Sequence, residues 1–369
     1  MEQECMSQET AQWLFEEGAM LVFLDVPEGT EFGMDCNSWE VGPKFKGVKM
    51  IPPGVHFIYY SARDKRSTQL APRTGFFHTF SRKEVLVKRW DEAAEDINSS
   101  PVSSDEQERI ESNRKELDRF MGAYPYESYK KWVSLTNHMS SDLIHKLSPV
   151  SGRICSAPPL ESNPSDTASR MKSPPPPVSK TRPTERDLMD MKSIPGSEIR
   201  FSEITSHKFP VGSTPGEITR HLLDCSYSLR SLLDANYPSD ASLVLGEIQF
   251  AFVCFLVGQV YDAFDQWKKL TKLMCSCESA ISQYPDLYLQ FITLLHYHIR
   301  EIPEDFFVDI VTSDNFVVAV LRSLFANMFD SQADGNLKGR GLKFKEHLEK
   351  KYKWDLNADT DEDAPVIVQ

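Results

Sequence analysis

Gly29–Ala62, GTEFGMDCNSWEVGPKFKGVKMIPPGVHFIYYSA, is the stretch from which the rest of the chain is read. Asn37–Val41, Val48–Ile51 and Val55–Tyr60 are short runs rich in β-branched and aromatic residues, the composition of strands. Pro52-Pro53-Gly54 between the last two is turn chemistry, with φ preset by proline and positive φ open to glycine. Upstream, Ala19–Leu24 is apolar without interruption, which predicts a strand covered on both faces. Ser7–Glu17 predicts a short helix carrying Trp13 and Leu14, which Gly18 can close in a left-handed conformation. Downstream, Gly75–Phe80 and Val85–Trp90 bring the set to about six strands at short spacing, the signature of a small barrel or sandwich.

The pattern then changes to a helical period. Asp105–Phe120 places Ile110, Leu117 and Phe120 on one face. Tyr126–Met139 sets Tyr129, Trp132, Val133 and Thr136 at helical spacing, and Ser141–Leu147 adds a turn or two. These helices are expected to pack on the β unit, giving an α+β N-terminal domain over 1–148. Residues 149–197 are rich in proline and serine, including Pro174–Pro177. They offer too little apolar surface to offset the entropy of ordering and predict a disordered linker. A second, all-helical domain is expected over 198–354. Ile199–Ile204 reads as an extended docking piece, and Thr214-Pro215-Gly216-Glu217 as a capping box with proline at the first helical position. Ile218, Leu222, Cys225, Leu229, Leu232 and Leu233 keep one helical period. Leu243–Val257 is apolar on most sides and is expected to be central. Tyr261–Met274, Leu287–Ile299, Pro303–Val311, Phe316–Met328 and Leu342–Tyr352 complete about seven helices in a bundle or stack, without a recognisable named repeat. The last segment, 355–369, is an acidic tail ending in a strand-like Pro365-Val366-Ile367-Val368.

With 369 residues the chain has length for two domains with real cores, and 40% apolar and 26% charged residues is a globular composition. A net charge of −13 works against free nucleic acid. The seven cysteines are odd in number and scattered through expected core segments, which favours a reducing compartment over a disulfide framework. The N-terminus is polar, and the most apolar run, Phe250–Gly258, is far short of the roughly 20 residues a membrane span needs. A soluble, intracellular, monomeric protein is expected.

No stretch carries catalytic chemistry. Cys275-x-Cys277 and His296-x-His298 have the ligand types of a zinc site, but residues two apart on a helix diverge, so no metal is assigned. Gly42-Pro43-Lys44-Phe45-Lys46-Gly47 begins like a phosphate loop, yet Val48 and Lys49 stand where Lys and Ser or Thr are required. Asp64, His78 and Ser81 form only a loose triad. The chain is read as a non-enzyme without cofactor. Lys338–Lys353 concentrates seven Lys and Arg with Phe344, Leu348 and Tyr352. It reads either as an RNA-contacting helix or, preferably, as an amphipathic helix whose lysines stay solvated. The tail offers two readings as well. It is either a frayed terminus or, at Pro365, Val366, Ile367 and Val368, a strand added to a partner's sheet edge. Ser173, before Pro174, fits a proline-directed kinase, and Ser103, three residues before Glu106, an acidic-directed one.

Several stretches together resemble one family. They are Gly29–Ala62, Gly75-Phe76-Phe77, Tyr124-Pro125-Tyr126 with Lys130-Lys131-Trp132, Glu198–Glu203, Thr214–Arg220, Gly246–Leu270 and Glu301–Val311. Their order and spacing are similar to the splicing-factor family of U5 small nuclear ribonucleoprotein assembly proteins, the a1-alpha2 repression splicing factors. The resemblance covers nearly the whole chain except the linker. It implies a β-rich N-terminal domain, an all-helical C-terminal domain and no enzymatic activity. It further implies a cytoplasmic and nuclear assembly chaperone that binds pre-mRNA-processing-splicing factor eight. The C-terminal tail would lie between that partner's RNase H-like and Jab1/MPN-like domains, delaying helicase docking. Without the resemblance, the residues alone leave open a generic scaffold with the helical domain as a peptide-binding platform. A hydrolase with a site between the domains is the third reading.

Overall fold

The computed structural model describes residues 7–63, 69–98, 100–157, 160–162, 191–302 and 316–357, which divide into two units. The expected helix Pro303–Val311, Asp64, Ser173 and the tail strand Pro365–Val368 lie outside the described residues. The architecture is α+β.

The first unit comprises the described residues of Met1–Ser128, Ile144–Arg200 and Val257–Val260. Its opening helix, α1 (Gln8–Glu17), is capped by the Ser7 side chain, which accepts from the Thr10 N–H. The strands in chain order are β1 (Ala19–Leu24), β2 (Glu31–Met34), β3 (Asn37–Glu40), β4 (Gly47–Ile51) and β5 (Gly54–Ser61). They continue with β6 (Thr74–Phe80), β7 (Val85–Asp91), β8 (Asp96–Ile97), β9 (Met121–Ala123) and β10 (Ile154–Cys155). One sheet has the order β8-β7-β1-β4-β9 and the other β10-β6-β5-β2-β3, so the expected barrel-or-sandwich resolves to two sheets with no closed barrel. In the first sheet β1 pairs with β7, and β4 with β9, in parallel.

β1 is covered on both sides, as its unbroken apolar run requires. Phe23 meets Phe32 and Tyr60 of the other sheet at ring-centroid distances of 5.6 and 6.2 Å. On the opposite face Met20 and Val22 join Val85, Val87 and Met121, with Ile110 and Leu117 laid over them. Those two residues belong to α2 (Ser104–Ser112) and α3 (Arg114–Leu117), so the continuous helix expected over Asp105–Phe120 is broken at Asn113. Gly18 also departs from expectation. Its φ of −66° and ψ of 151° are extended, not left-handed. Glycine is needed there for space, because a Cβ would sit 2.2 Å from the Leu14 carbonyl oxygen.

The expected linker starts later than residue 149. Ile154 is buried, and β10 extends the edge of β6. Arg153 anchors this addition by pairing with Asp96 and donating to the Ile97 carbonyl. Within the same interval β11 (Leu160–Ser162) pairs antiparallel with β12 (Met191–Ser193).

The second unit comprises the described residues of Tyr129–Leu143, Phe201–Leu256 and Tyr261–Gln369. It therefore takes in α4 (Tyr129–Thr136), which the sequence reading set against the β unit. α5 (Ser141–Leu147) is divided between the two units at Leu143, and the remaining helices are α6 (Pro215–Leu223), α7 (Ser226–Asn236), α8 (Leu243–Leu256), α9 (Tyr261–Cys275) and α10 (Glu278–Gln283). They end with α11 (Pro285–Glu301), α12 (Phe316–Asp330) and α13 (Gly335–Tyr352). α8 is buried from Val244 to Phe255, and Gln249 within it explains how α4 is recruited. The Gln249 side chain accepts from the His138 N–H at 2.8 Å and donates to Asn137 at 2.8 Å. The single helical period read from Ile218 to Leu233 is two helices. Asp224 divides them, accepting from the Ser226 N–H at 3.0 Å and from the Glu278 N–H at 3.0 Å.

Candidate functional site

Most of the chemistry-bearing side chains are sealed inside the two units. Asp35 and His56 are fully buried and meet at 2.7 Å between Oδ2 and Nδ1. Tyr124 donates its hydroxyl to the same carboxylate at 2.6 Å, the Phe57 N–H donates to the other oxygen at 2.9 Å, and His56 Nε2 reaches the Pro52 carbonyl at 2.8 Å. Glu247 is likewise buried, accepting from the Ser202 N–H, the Gln266 amide and the Tyr237 hydroxyl. Burial, with the Glu247 charge next, pushes the Tyr237 hydroxyl far above its ordinary value. Such networks fix a core and offer a substrate no access.

The candidate zinc ligands do not converge. Cys275 and Cys277 are buried thiols pushed up by desolvation, and Cys277 donates to the Leu273 carbonyl at 3.0 Å. His298 lies flat on Phe252, with centroids 3.9 Å apart, and accepts from the Trp267 indole N–H at 3.1 Å. Its burial holds the imidazole well below the usual range, and with Nδ1 accepting, the proton sits on Nε2. His296 faces another way, 5.1 Å from the His347 ring. Among the described residues no cluster of three or more His, Cys, Asp or Glu is placed to hold a metal ion. His78 of β6 is engaged by Glu84 at 2.7 Å, and the Ser81 N–H donates to that same carboxylate at 2.7 Å, so Glu84 ties both to the turn between β6 and β7. The phosphate-loop mimic is a packing loop, with Phe45 set 5.2 Å from the Phe32 ring.

The interaction candidates are more exposed. α6 has the expected capping box between Thr214 and Glu217, yet none of its residues is buried. Leu222 and Leu223 are 52% and 78% exposed. The sequence reading missed this face because it treated Ile218–Leu233 as one packed stripe; the break at Asp224 turns α6 away from it. Ser103 caps α2 through its hydroxyl, which accepts from the Glu106 N–H, with Asp105 and Glu106 in the first turn. On α13, Phe344 and Leu348 are buried and Tyr352 stacks on Trp354 with centroids 4.7 Å apart, the amphipathic arrangement expected of Lys338–Lys353. After α13 the first residues of the tail are held in place. Leu356 is buried, the Asp355 carbonyl accepts from Arg322 at 2.9 Å, and Lys345 donates to Asn357 at 2.9 Å. No helix among the described residues is long and apolar enough to cross a membrane.

Comparison with known proteins covers both units. Residues 17–149 match the family model of the AAR2 N-terminal domain, and residues 201–357 that of the AAR2 C-terminal repeat region. The Protein AAR2 homolog of Homo sapiens is 44% identical over 373 residues, spanning 99% of this chain and 97% of the relative. That of Caenorhabditis elegans is 37% identical, over 95% and 98%. The A1 cistron-splicing factor AAR2 of Saccharomyces cerevisiae is 25% identical over 77% of each chain.

Proposed function

The chain belongs to the AAR2 family, and on that membership we propose that it serves pre-mRNA splicing as an assembly factor that acts by binding proteins. The AAR2 family is not a family of enzymes. The observation that carries the reading is the match of both domain models together with near-complete alignment to AAR2 homologues, and with alignment over 77% of a relative that is a splicing factor by name. In the finer form of the proposal, the chain is a chaperone of the U5 small nuclear ribonucleoprotein, working in cytoplasm and nucleus. It binds pre-mRNA-processing-splicing factor eight and delays helicase docking. The firmly held Asp355–Asn357 segment supports this reading, because it fixes the point from which Pro365–Val368 would reach a partner's sheet edge.

The test compares the full chain with one lacking Ala364–Gln369 against the partner's Jab1/MPN-like and RNase H-like domains. Three aliphatic side chains at roughly 1.5–3 kcal/mol each and a few hydrogen bonds at about 1 kcal/mol each, less roughly 1–2 kcal/mol for each of the four residues ordered, predict a loss of about tenfold or more. Unchanged affinity refutes the tail's role. Failure of the full chain to capture the large U5 protein from extract refutes the function. A second reading, a scaffold that binds peptides through its helical unit, is favoured by the exposed Leu222 and Leu223. Under it Leu222→Ser with Leu223→Ser abolishes partner binding and the tail deletion does not.

A further inference from the structure

We propose that the cleft between α11 and α13 is a binding site for a phosphate group, free or carried on a phosphorylated side chain. The cleft, of about 280 Å³, is lined by Ile292, Thr293, His296 and Tyr297 of α11 and by Arg340, Lys343, Phe344 and His347 of α13. Its size suits one phosphoryl group and its attachment, not a nucleic-acid strand.

The charges are one-sided. Arg340, Lys343 and His347 fall on one face of α13, at the spacing of adjacent helical turns. No carboxylate lines the cleft. Among the described residues neither Arg340 nor Lys343 has an acidic partner, although both are exposed in a chain of net charge −13. Of the nearby carboxylates, Glu301 pairs with Lys131 and Arg300 and Glu349 with Lys345, while the exposed Glu346 is not part of the cleft lining. Like charges held together without counter-charge raise the energy of the free protein, and an anion between them removes that repulsion. The floor is apolar: Phe344 is buried, and its ring lies 6.2 Å from His296. A low-dielectric wall strengthens each contact a phosphate makes, and a guanidinium supplies paired donors.

His296 reports on the site. Burial comes first, and His347, Arg300, Lys351 and Arg340 then add positive field, which together hold its imidazole below the ordinary value. The groups facing it from α11 are Tyr297 and Arg300, and from α13 Arg340, Lys343, His347 and Lys351. A bound phosphate reverses the sign of that field. Binding therefore favours the protonated His296 ring and raises its midpoint. The inference is independent of the splicing reading, since it rests on these two helices alone.

The test is a pH titration of the histidine ring signals by NMR in the full chain, with and without inorganic phosphate. The same titration is run on the Arg340→Gln/Lys343→Gln double variant, whose substitutions are at exposed positions. Phosphate is expected to raise the His296 midpoint by about half a unit or more, and the double variant to lose roughly tenfold in affinity. A midpoint unmoved by phosphate, or moved equally in the variant, overturns the proposal. A phosphoserine peptide binding tighter than inorganic phosphate supports a protein-borne phosphate, and equal binding supports free phosphate. Binding of single-stranded RNA alone, or a His296 midpoint that falls when the chain is cut after Asn357, overturns it in favour of RNA or of the chain's own acidic tail.

Discussion

Replacing Asp35 by alanine removes one carboxylate that serves three donors in the core of the first unit. The Phe57 N–H, the Tyr124 hydroxyl and the His56 imidazole all lose an acceptor at a residue with no exposure. Each buried donor stripped of its partner costs about 1–3 kcal/mol. Asp35 also sits at φ 56°, a left-handed conformation that Asp and Asn adopt more easily than Ala, which adds about 1 kcal/mol. The sum is roughly 4–10 kcal/mol, of the order of the whole stability of a small domain. The assay is native-state hydrogen exchange at the amides of Phe57, Ile58 and Tyr59 in β5, beside a urea titration. At 1.4 kcal/mol per factor of ten, protection at β5 is expected to fall by about a thousandfold or more. Asp35→Asn keeps the backbone conformation and one acceptor oxygen, so its cost is expected to be less than half. If Asp35→Ala costs under about 2 kcal/mol, or if asparagine costs as much as alanine, the network is not what holds this sheet pair together.

Three further outcomes follow from the second unit and its thiols. Gly246→Ala places a Cβ 2.4 Å from both the His138 carbonyl oxygen and Leu143, so the gain in helix propensity is outweighed and urea unfolding should show a loss of about 1–3 kcal/mol. His298 is held neutral when folded but protonates when unfolded, so its contribution is full above pH 6.5 and is lost as pH falls below it. Unfolding free energies measured between pH 7 and 5 should drop by up to about 1.4 kcal/mol per pH unit from this residue, and His298→Leu should flatten the slope. Cys254, Cys275 and Cys277 are buried with raised thiol values, so iodoacetamide should label them only after denaturation.

What could be read from the chain was local. The apolar run Ala19–Leu24, the turn Pro52-Pro53-Gly54 and the capping box at Thr214 each specify their element through neighbours in sequence. β2, Glu31–Met34, escaped because glutamate and glycine are weak strand formers. Its pairing with β3 and β5 supplies what its composition lacks. β9 and β10 are too short to show a period and exist only because an edge of a sheet accepts them. The family was legible because many stretches keep their order, which is a property of sequence.

The tertiary structure alone decided matters that depend on distant partners. α4 carries an amphipathic pattern that suits either unit, and hydrogen bonds from Gln249, more than a hundred positions away, assign it to the helices. The period from Ile218 to Leu233 looks continuous until Asp224 caps α7 and α10 together and leaves α6 uncovered. The basic face of α13 reads as a solvated stripe until α11 brings His296 beside His347. Periodicity is a statement about one element's own axis. Which face meets which neighbour is set by the desolvation of charges and donors contributed from elsewhere in the chain, and no window of sequence contains both sides of that account.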